Sequence, residues 1–482
     1  MVDAAARVSR RFGALSPTAI ILLFVAVLRL PYFGDAHIHV DESYYLLFAE
    51  RWANGAMPYV DIWDRKPIGL FVIFRLAVLV GGTAEAAIIA YQSIALAVVM
   101  ATALILAGIA RAVRGDGAGL AAGLLYPAGL LALQGSGGQA TIFTNLAVCA
   151  AAWLIFTVWR DRAVPAARLF WAMLVLGAAL QIKYTAGFEA AVLGVAALGV
   201  LHGRGWTPAR LVAAAAAMIA IGLVPSLAAV ASFAAVGALE PYLFANFATI
   251  FTKVAASAAD PVLSLLLLLP IAGLCLWRAR PHRPGAGEWA LIAWATAALL
   301  AAFILGLASE HRLQSVLPPL VLLAAMRAGR AWGRPALATA IAVMMACGIV
   351  AKVIDIRGEG SPYVSYAIAA AIRSAPGEGC IYVVDTLPLL YALARACAPT
   401  AYAFPTQLTH PSEIASIGID ARAELARVLA SRPRMIVIRS PRQDYIDRQA
   451  LAMIEAALAQ HYRPVRRFGF ATGAYQLYAV RP

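Results

Sequence analysis

The sequence predicts a polytopic α-helical membrane protein of about eleven spans, ending in a small α/β domain outside the cytoplasm. Three observations lead there. Of 482 residues, 62% are hydrophobic and only 13% are charged, where soluble domains carry roughly 25%. Arginines gather in every second break between the apolar runs. From about Lys352 the pattern changes to frequent charges and short β-rich runs.

A span needs about 20 apolar residues. Candidate runs lie near 17–34, 84–110, 117–133, 141–159, 166–181, 186–201, 209–235, 261–277, 287–307, 313–326 and 335–351. Arg7, Arg10 and Arg11 precede the first run, and RVSRRFGALSP with no small-residue cleavage site reads as an uncleaved anchor. Arg111 and Arg114, then Arg160, Arg162 and Arg168, then Arg204 and Arg210 follow at alternate breaks. Arg278, Arg280 and Arg283, and finally Arg327, Arg330 and Arg334, complete the series. All fall on one side if the N-terminus is cytoplasmic, as positive loops are retained inside. The net charge of +14 is thus a topology signal. It excludes a nucleic-acid partner, which would need a basic stripe.

Two shorter segments fit the interface better than the bilayer core. Ser43–Ala53 places Tyr44, Leu47, Phe48 and Arg51 at helical spacing, with Tyr45 and Trp52 as anchors. Pro67–Val80 is short for a span, and as a span it would turn every later arginine cluster outward. It is therefore expected to be an interfacial or re-entrant helix.

The chain divides into a membrane domain, 1–351, whose first external loop is 35–83, and a domain at 352–482. In the latter, Cys380–Val384 and Met435–Arg439 read as strands and Ala421–Ala430 and Arg448–Gln460 as amphipathic helices. Phe468–Phe470 and Ala474–Val480 suggest a hairpin. Cys380 and Cys397 could form a disulfide in an oxidising compartment, while Cys149, Cys275 and Cys347 read as packing residues.

The chemistry concentrates in His37–Gly69, HIHVDESYYLLFAERWANGAMPYVDIWDRKPIG. Acids stand at one end, Asp41 and Glu42, and cations close the other, Arg65 and Lys66. A site that deprotonates a hydroxyl and stabilises a departing phosphate needs that pair of charges. The other breaks on this side carry isolated polar residues: Gln134–Thr144, Gln181–Thr185, Glu240–Asp260 and Glu310–Gln314. Tyr242, Phe244 and Phe247 could line a lipid groove or pack at the interface. His37, His39 and Asp41 alternate, so an extended strand would put them on one face, where the imidazoles suit a divalent metal such as zinc.

The motif Asp41-Glu42-Ser43-Tyr44-Tyr45 is followed by Gly55, Pro58-Tyr59, Asp61 and Asp64-Arg65-Lys66-Pro67. With Gln181-Ile182-Lys183-Tyr184-Thr185 and the segment His311, Gln314, Leu317-Pro318-Pro319, the chain resembles the membrane-embedded GT-C fold glycosyltransferases. More narrowly, it is similar to the superfamily joining protein O-mannosyltransferases and the lipid A aminoarabinose and galacturonate transferases. The resemblance implies transfer of a sugar from a polyprenyl-phosphate-linked donor to an acceptor hydroxyl in the periplasm, with inversion. The acceptor would be a glycolipid, a glycan or a protein, and the enzyme would reside in a bacterial inner membrane. It implies Asp41 as base, with Glu42 beside it, and Lys66 as the cation on the donor phosphate. Tyr45, Asp61, Asp64, Lys183, His311 and Arg312 are the further substrate-binding candidates. Where many relatives carry an acid before the fourth span, this chain has Gln139-Ala140-Thr141-Ile142-Phe143-Thr144-Asn145.

Each residue also has a plainer reading. Asp41 could cap the helix beginning near Ser43, Lys66 and Lys183 could snorkel to headgroups, and the histidines could be polar linkers. A lipid-linked-sugar transporter or flippase would show internal repeats or broken helices, and no convincing repeat is found. The missing acid leaves room for a non-catalytic envelope-assembly subunit.

Overall fold

The computed structural model describes residues 15–37, 39–249, 265–276, 285–304, 310–328 and 334–482. Each apolar run of the sequence falls on a helix: α1 (Pro17–Arg29), then α4 (Ala84–Arg114), α5 (Asp116–Ala132), α6 (Ala140–Arg160), α7 (Ala167–Leu180), α8 (Ala186–Gly203) and α9 (Pro208–Ala235). Next come α10 (Leu269–Leu276), α11 (Ala286–Ile304), α12 (Leu317–Ala328) and α13 (Arg334–Glu359). Among the described residues six helices are long and apolar enough to cross a membrane by themselves. Eleven spans would need the shorter ones as well. Part of the run at 261–277, and Arg7, Arg10, Arg11, Arg278, Arg280, Arg283 and Arg330, lie outside the described residues.

Three of the arginine-bearing breaks meet at one end of the bundle. Arg160 donates to the Ala112 carbonyl, Arg162 to Gly203 at 3.1 Å, and Arg204 to Val164 at 3.0 Å. These cations stitch successive connections together by their carbonyls.

The opposite end carries α2 (Val40–Ala53) and α3 (Ile68–Gly81). Each has 14 residues, only about 21 Å of helix at 1.5 Å per residue, too short to cross. Tyr45, Phe48, Phe71 and Phe74 are fully buried between them, and the Phe48 and Phe71 rings stack at 3.7 Å.

The C-terminal domain contains a four-stranded sheet of order β1-β2-β4-β3: β1 (Ile381–Val384), β2 (Met435–Ser440), β3 (Tyr462–Phe470) and β4 (Gly473–Val480). β1 and β2 are parallel, and the rest is antiparallel. Alternation sorts its side chains between two cores. Tyr382, Ile436 and Ile438 face α15 (Ala421–Ala430) and α16 (Arg448–His461). Ile381, Val383 and Val437 share a core with α14 (Val364–Ser374) and with α2 and α3. The domain therefore packs directly on the first loop. Cys380 and Cys397 are disulfide-bonded.

Candidate active site

The site starts from the first turn of α2. His39 holds the N-cap position, and its Nδ1 accepts a hydrogen bond from Asp41 N at 3.2 Å. The cap is thus histidine, and the Asp41 carboxylate is left for other partners. Its Oδ2 accepts from the Tyr45 hydroxyl at 3.1 Å, one helical turn on. The same oxygen lies 3.4 Å from Lys66 Nζ, which sits 4.5 Å above the Tyr45 ring. The two charged side chains keep 22% and 30% exposure, so a substrate can reach both.

Burial pushes the Asp41 carboxyl up, but Lys66, His39 and His311, with the Tyr45 hydrogen bond, outweigh it and hold the group well below the usual range. In the substrate-free chain Asp41 is firmly ionised.

Loop geometry carries Lys66 to this place. Tyr59, at φ 67°, donates its hydroxyl to the Lys66 carbonyl at 2.8 Å, and Asp64 Oδ1 accepts from Lys66 N at 2.8 Å. Asp64 is buried, which raises its pKa against the pull of Lys66 and Arg65. Asp61 is exposed and accepts from Met57 N at 2.7 Å. Both carboxylates are therefore engaged by the loop's own backbone, holding its shape. Arg65 Nη2 donates to both carboxylate oxygens of Glu413 at 2.5 Å, and its Nη1 donates to Ser416 Oγ at 3.2 Å.

A close backbone approach adds Lys183. Leu70 N donates to the Gln181 carbonyl at 3.1 Å, and a Cβ on Gly69 would fall 2.5 Å from that oxygen. Only glycine lets the start of α3 press on this turn. Lys183 Nζ donates to Thr141 Oγ1 at 2.7 Å, and burial lowers its pKa to about 8 against the pull of Glu189. The segment lacking an acid thus meets the site through a hydroxyl. His311 and Arg312 stand on the Glu310–Val316 turn, and the His39 and His311 rings contact edge to face at 4.9 Å. Burial depresses both His311 and Arg312, while the Asp41 charge opposes it.

Glu42 faces elsewhere. Its Oε2 accepts from Gly138 N at 2.7 Å, and a Cβ on Gly137 would overlap the carboxylate. Arg29 grips the same loop by the Gly135 and Gly137 carbonyls. Glu42 is 1% exposed, and burial raises its pKa.

The metal geometry expected of His37, His39 and Asp41 does not form, because the extended segment ends where α2 begins at Val40. His37 Nε2 instead pairs with Glu359 at 3.0 Å. Among the described residues no group of three or more His, Cys, Asp or Glu is placed to hold a metal ion. Of the aromatic set, Tyr242 is a packing residue, stacked on Phe233 at 4.5 Å and edge to face with Tyr59, while Phe247 stays exposed.

An apolar groove of about 720 Å³ lies between α3, α4, α6 and α7. Ile182, next to Lys183, lines it together with Val98 and Ala150, and Arg75 lies 4.2 Å over the Trp52 ring.

Glu413 was not among the residues that sequence reasoning selected. It stands about 350 positions from its partner Arg65 in the chain, on the short turn Pro411–Ile414. The only local signal was a helix start, His410-Pro411-Ser412-Glu413, which says nothing of a site.

No protein-family model matches the chain, and no curated protein matches it in sequence. Solved structures match its fold. ArnT from Cupriavidus metallidurans, bound to undecaprenyl phosphate, superposes with a TM-score of 0.60 over 96% of this chain and 98% of its own, at 16% identity. The oligosaccharyltransferase AglB from Archaeoglobus fulgidus, with an inhibitory peptide and a dolichol-phosphate, gives 0.54 over 96% and 74% at 12% identity. A structure of the Archaeoglobus oligosaccharyltransferase with Zn and sulfate gives 0.53 over 96% and 73% at 14% identity. The chain has the GT-C fold that its sequence resembles.

Proposed function

We propose that the chain transfers a sugar from a polyprenyl-phosphate-linked donor to an acceptor hydroxyl on the periplasmic side of a bacterial inner membrane, with inversion. One observation carries the reading: an ionised Asp41 and a cationic Lys66, 3.4 Å apart and partly exposed, in a chain whose apolar groove is lined by Ile182, the neighbour of Lys183. The fold neighbours crystallised with undecaprenyl phosphate and dolichol-phosphate support a lipid donor. The disulfide supports an oxidising compartment.

In this reading the groove beside Ile182 takes the polyprenyl chain, and Lys66, Lys183 and Arg312 receive the phosphate. A phosphate competing for Lys66 removes the largest influence that keeps Asp41 acidic, so donor binding itself raises the base towards a working pKa. The acceptor oxygen then forms its bond to the anomeric carbon from the face opposite the phosphate. Its proton passes to Asp41 Oδ2, and the bond from the anomeric carbon to the phosphate oxygen breaks with both electrons on that oxygen. The emerging charge is met by cations already in place, which is where most stabilisation is needed.

Asp41→Asn in nanodiscs, supplied with a synthetic undecaprenyl-phosphate sugar and envelope acceptors, should lose about 10²- to 10⁴-fold in transfer rate, the usual contribution of a general base. Undiminished transfer by a folded Asp41→Asn protein would overturn the assignment. Movement of the donor lipid across the bilayer without transfer would favour a flippase.

A further inference from the structure

A second gathering of cations lies away from that site, where the last span meets the closing hairpin. On α13 the outward apolar surface runs through Ile349, Val350, Val353 and Ile354, all about half exposed or more, up to Ile356. Such a stripe is what hydrocarbon covers. Arg357 follows it, then Tyr363 at 75% exposure, the order in which cations and aromatic rings appear where a span leaves the bilayer.

The hairpin tip is tied to this point, since Thr472 N donates to the Arg357 carbonyl at 3.2 Å. Between the end of α13, the start of α14 and the end of β3 lies a groove of about 530 Å³, lined by Ile356, Arg357, Tyr363, Phe468 and Phe470. β3 is an edge strand, with Arg463, Arg466 and Arg467 exposed along it. The Arg466 guanidinium lies 5.1 Å over the Phe468 ring.

Elsewhere in the domain Arg422, Arg427 and Arg442 pair with Asp447, Glu424 and Glu455. Among the described residues none of Arg357, Arg463, Arg466 and Arg467 has a carboxylate partner. Charges on an edge strand deter strand pairing. That purpose explains neither Arg357 on the helix nor the aromatic groove between them.

We infer that this groove seats the phosphate headgroup of an anionic membrane lipid, a glycerophospholipid of the phosphatidylglycerol kind. Arg357 and Arg466 contact the phosphate. Arg463 and Arg467 add longer-range attraction, and the acyl chains run down past Ile356 along the apolar stripe. The inference rests on the membrane reading of α13 and is independent of the sugar transfer.

The test is native mass spectrometry of the full-length chain in detergent, titrated with phosphatidylglycerol or phosphatidylcholine. One lipid of the anionic kind should bind preferentially. A basic residue at a membrane surface is worth about five-fold in affinity, so Arg357→Gln with Arg466→Gln should weaken it roughly twenty-fold and leave phosphatidylcholine unaffected. Should the double variant not fold, Arg466→Gln should show about a five-fold loss alone, with Arg466→Lys restoring most of it. Equal binding of the two lipids, undiminished binding by the glutamine variants, or displacement by inorganic phosphate at the same occupancy would overturn the inference.

Discussion

Asp41 and Glu42 are adjacent on one helical turn, yet the two sides of that turn are opposite electrostatic regions. On one, a partly exposed carboxylate meets Lys66 and two imidazoles and stays ionised. On the other, a buried carboxylate accepts one backbone N–H from a glycine loop and has its pKa raised. Burial acts on both, and what differs is the partner that opposes it most: the Lys66 ammonium at Asp41, the Gly138 N–H at Glu42. A carboxylate that can respond to a substrate phosphate belongs to the first region. A carboxylate that holds a loop in place belongs to the second.

The contrast is broken most directly by exchanging charges. Asp41→Asn should cut transfer by about 10²- to 10⁴-fold, whereas Glu42→Ala should act chiefly on stability. It leaves the Gly138 N–H buried without an acceptor, a loss of about 1–3 kcal/mol, readable as a lowered unfolding temperature in detergent. Glu42→Gln keeps an acceptor and should cost less. A raised carboxyl pKa also means that this group's contribution to stability is present below its unfolded value and is lost as pH rises through the folded value. Glu42→Gln should therefore lose that slope. A pH-independent difference between the two proteins would place Glu42 outside this account.

Lys183 sharpens the first region. With a pKa of about 8 in the free chain, its ammonium is lost as pH rises through that value. If it holds the donor phosphate, kcat/KM for the donor should fall above pH about 8, as that parameter follows the free enzyme. Lys183→Arg should move the limb to higher pH, because guanidinium stays charged. A limb unmoved by the arginine would reduce Lys183 to an anchor on Thr141.

These distinctions were only partly legible in the chain. The spans could be read because apolar runs and arginine clusters are additive, local signals, and the hairpin at Phe470–Gly473 because its turn and alternation are local too. The pairing of Asp41 with Lys66 was foreseeable from their loop, since a short return segment keeps its two ends near one another. The size of the Asp41 shift was not, since to Lys66 and His39 it adds His311, which arrives from a turn 270 residues away. The metal reading of His37 and His39 rested on a strand period that stops where His39 caps a helix. Glu413 left no trace, as nothing in its neighbourhood distinguishes it from a solvated acid.

That missed residue sets the smallest expected effect. Arg65 and Glu413 join the first loop to the C-terminal domain through a pair whose side chains are 26% and 12% exposed. Burial pushes the Arg65 pKa down, but Glu413 more than restores it. A partly screened ion pair of this kind contributes about 1–2 kcal/mol of coupling. The cycle of Arg65→Gln, Glu413→Gln and the double variant should recover it in thermal stability. If the bridge also presents Lys66 to the donor, each single variant should raise donor KM a few-fold with kcat little changed, since the backbone clamps from Asp64 and Tyr59 remain. Additive stability effects would make the bridge a surface contact of no consequence. Coupled stability with constant KM would confine it to holding the domain on the loop.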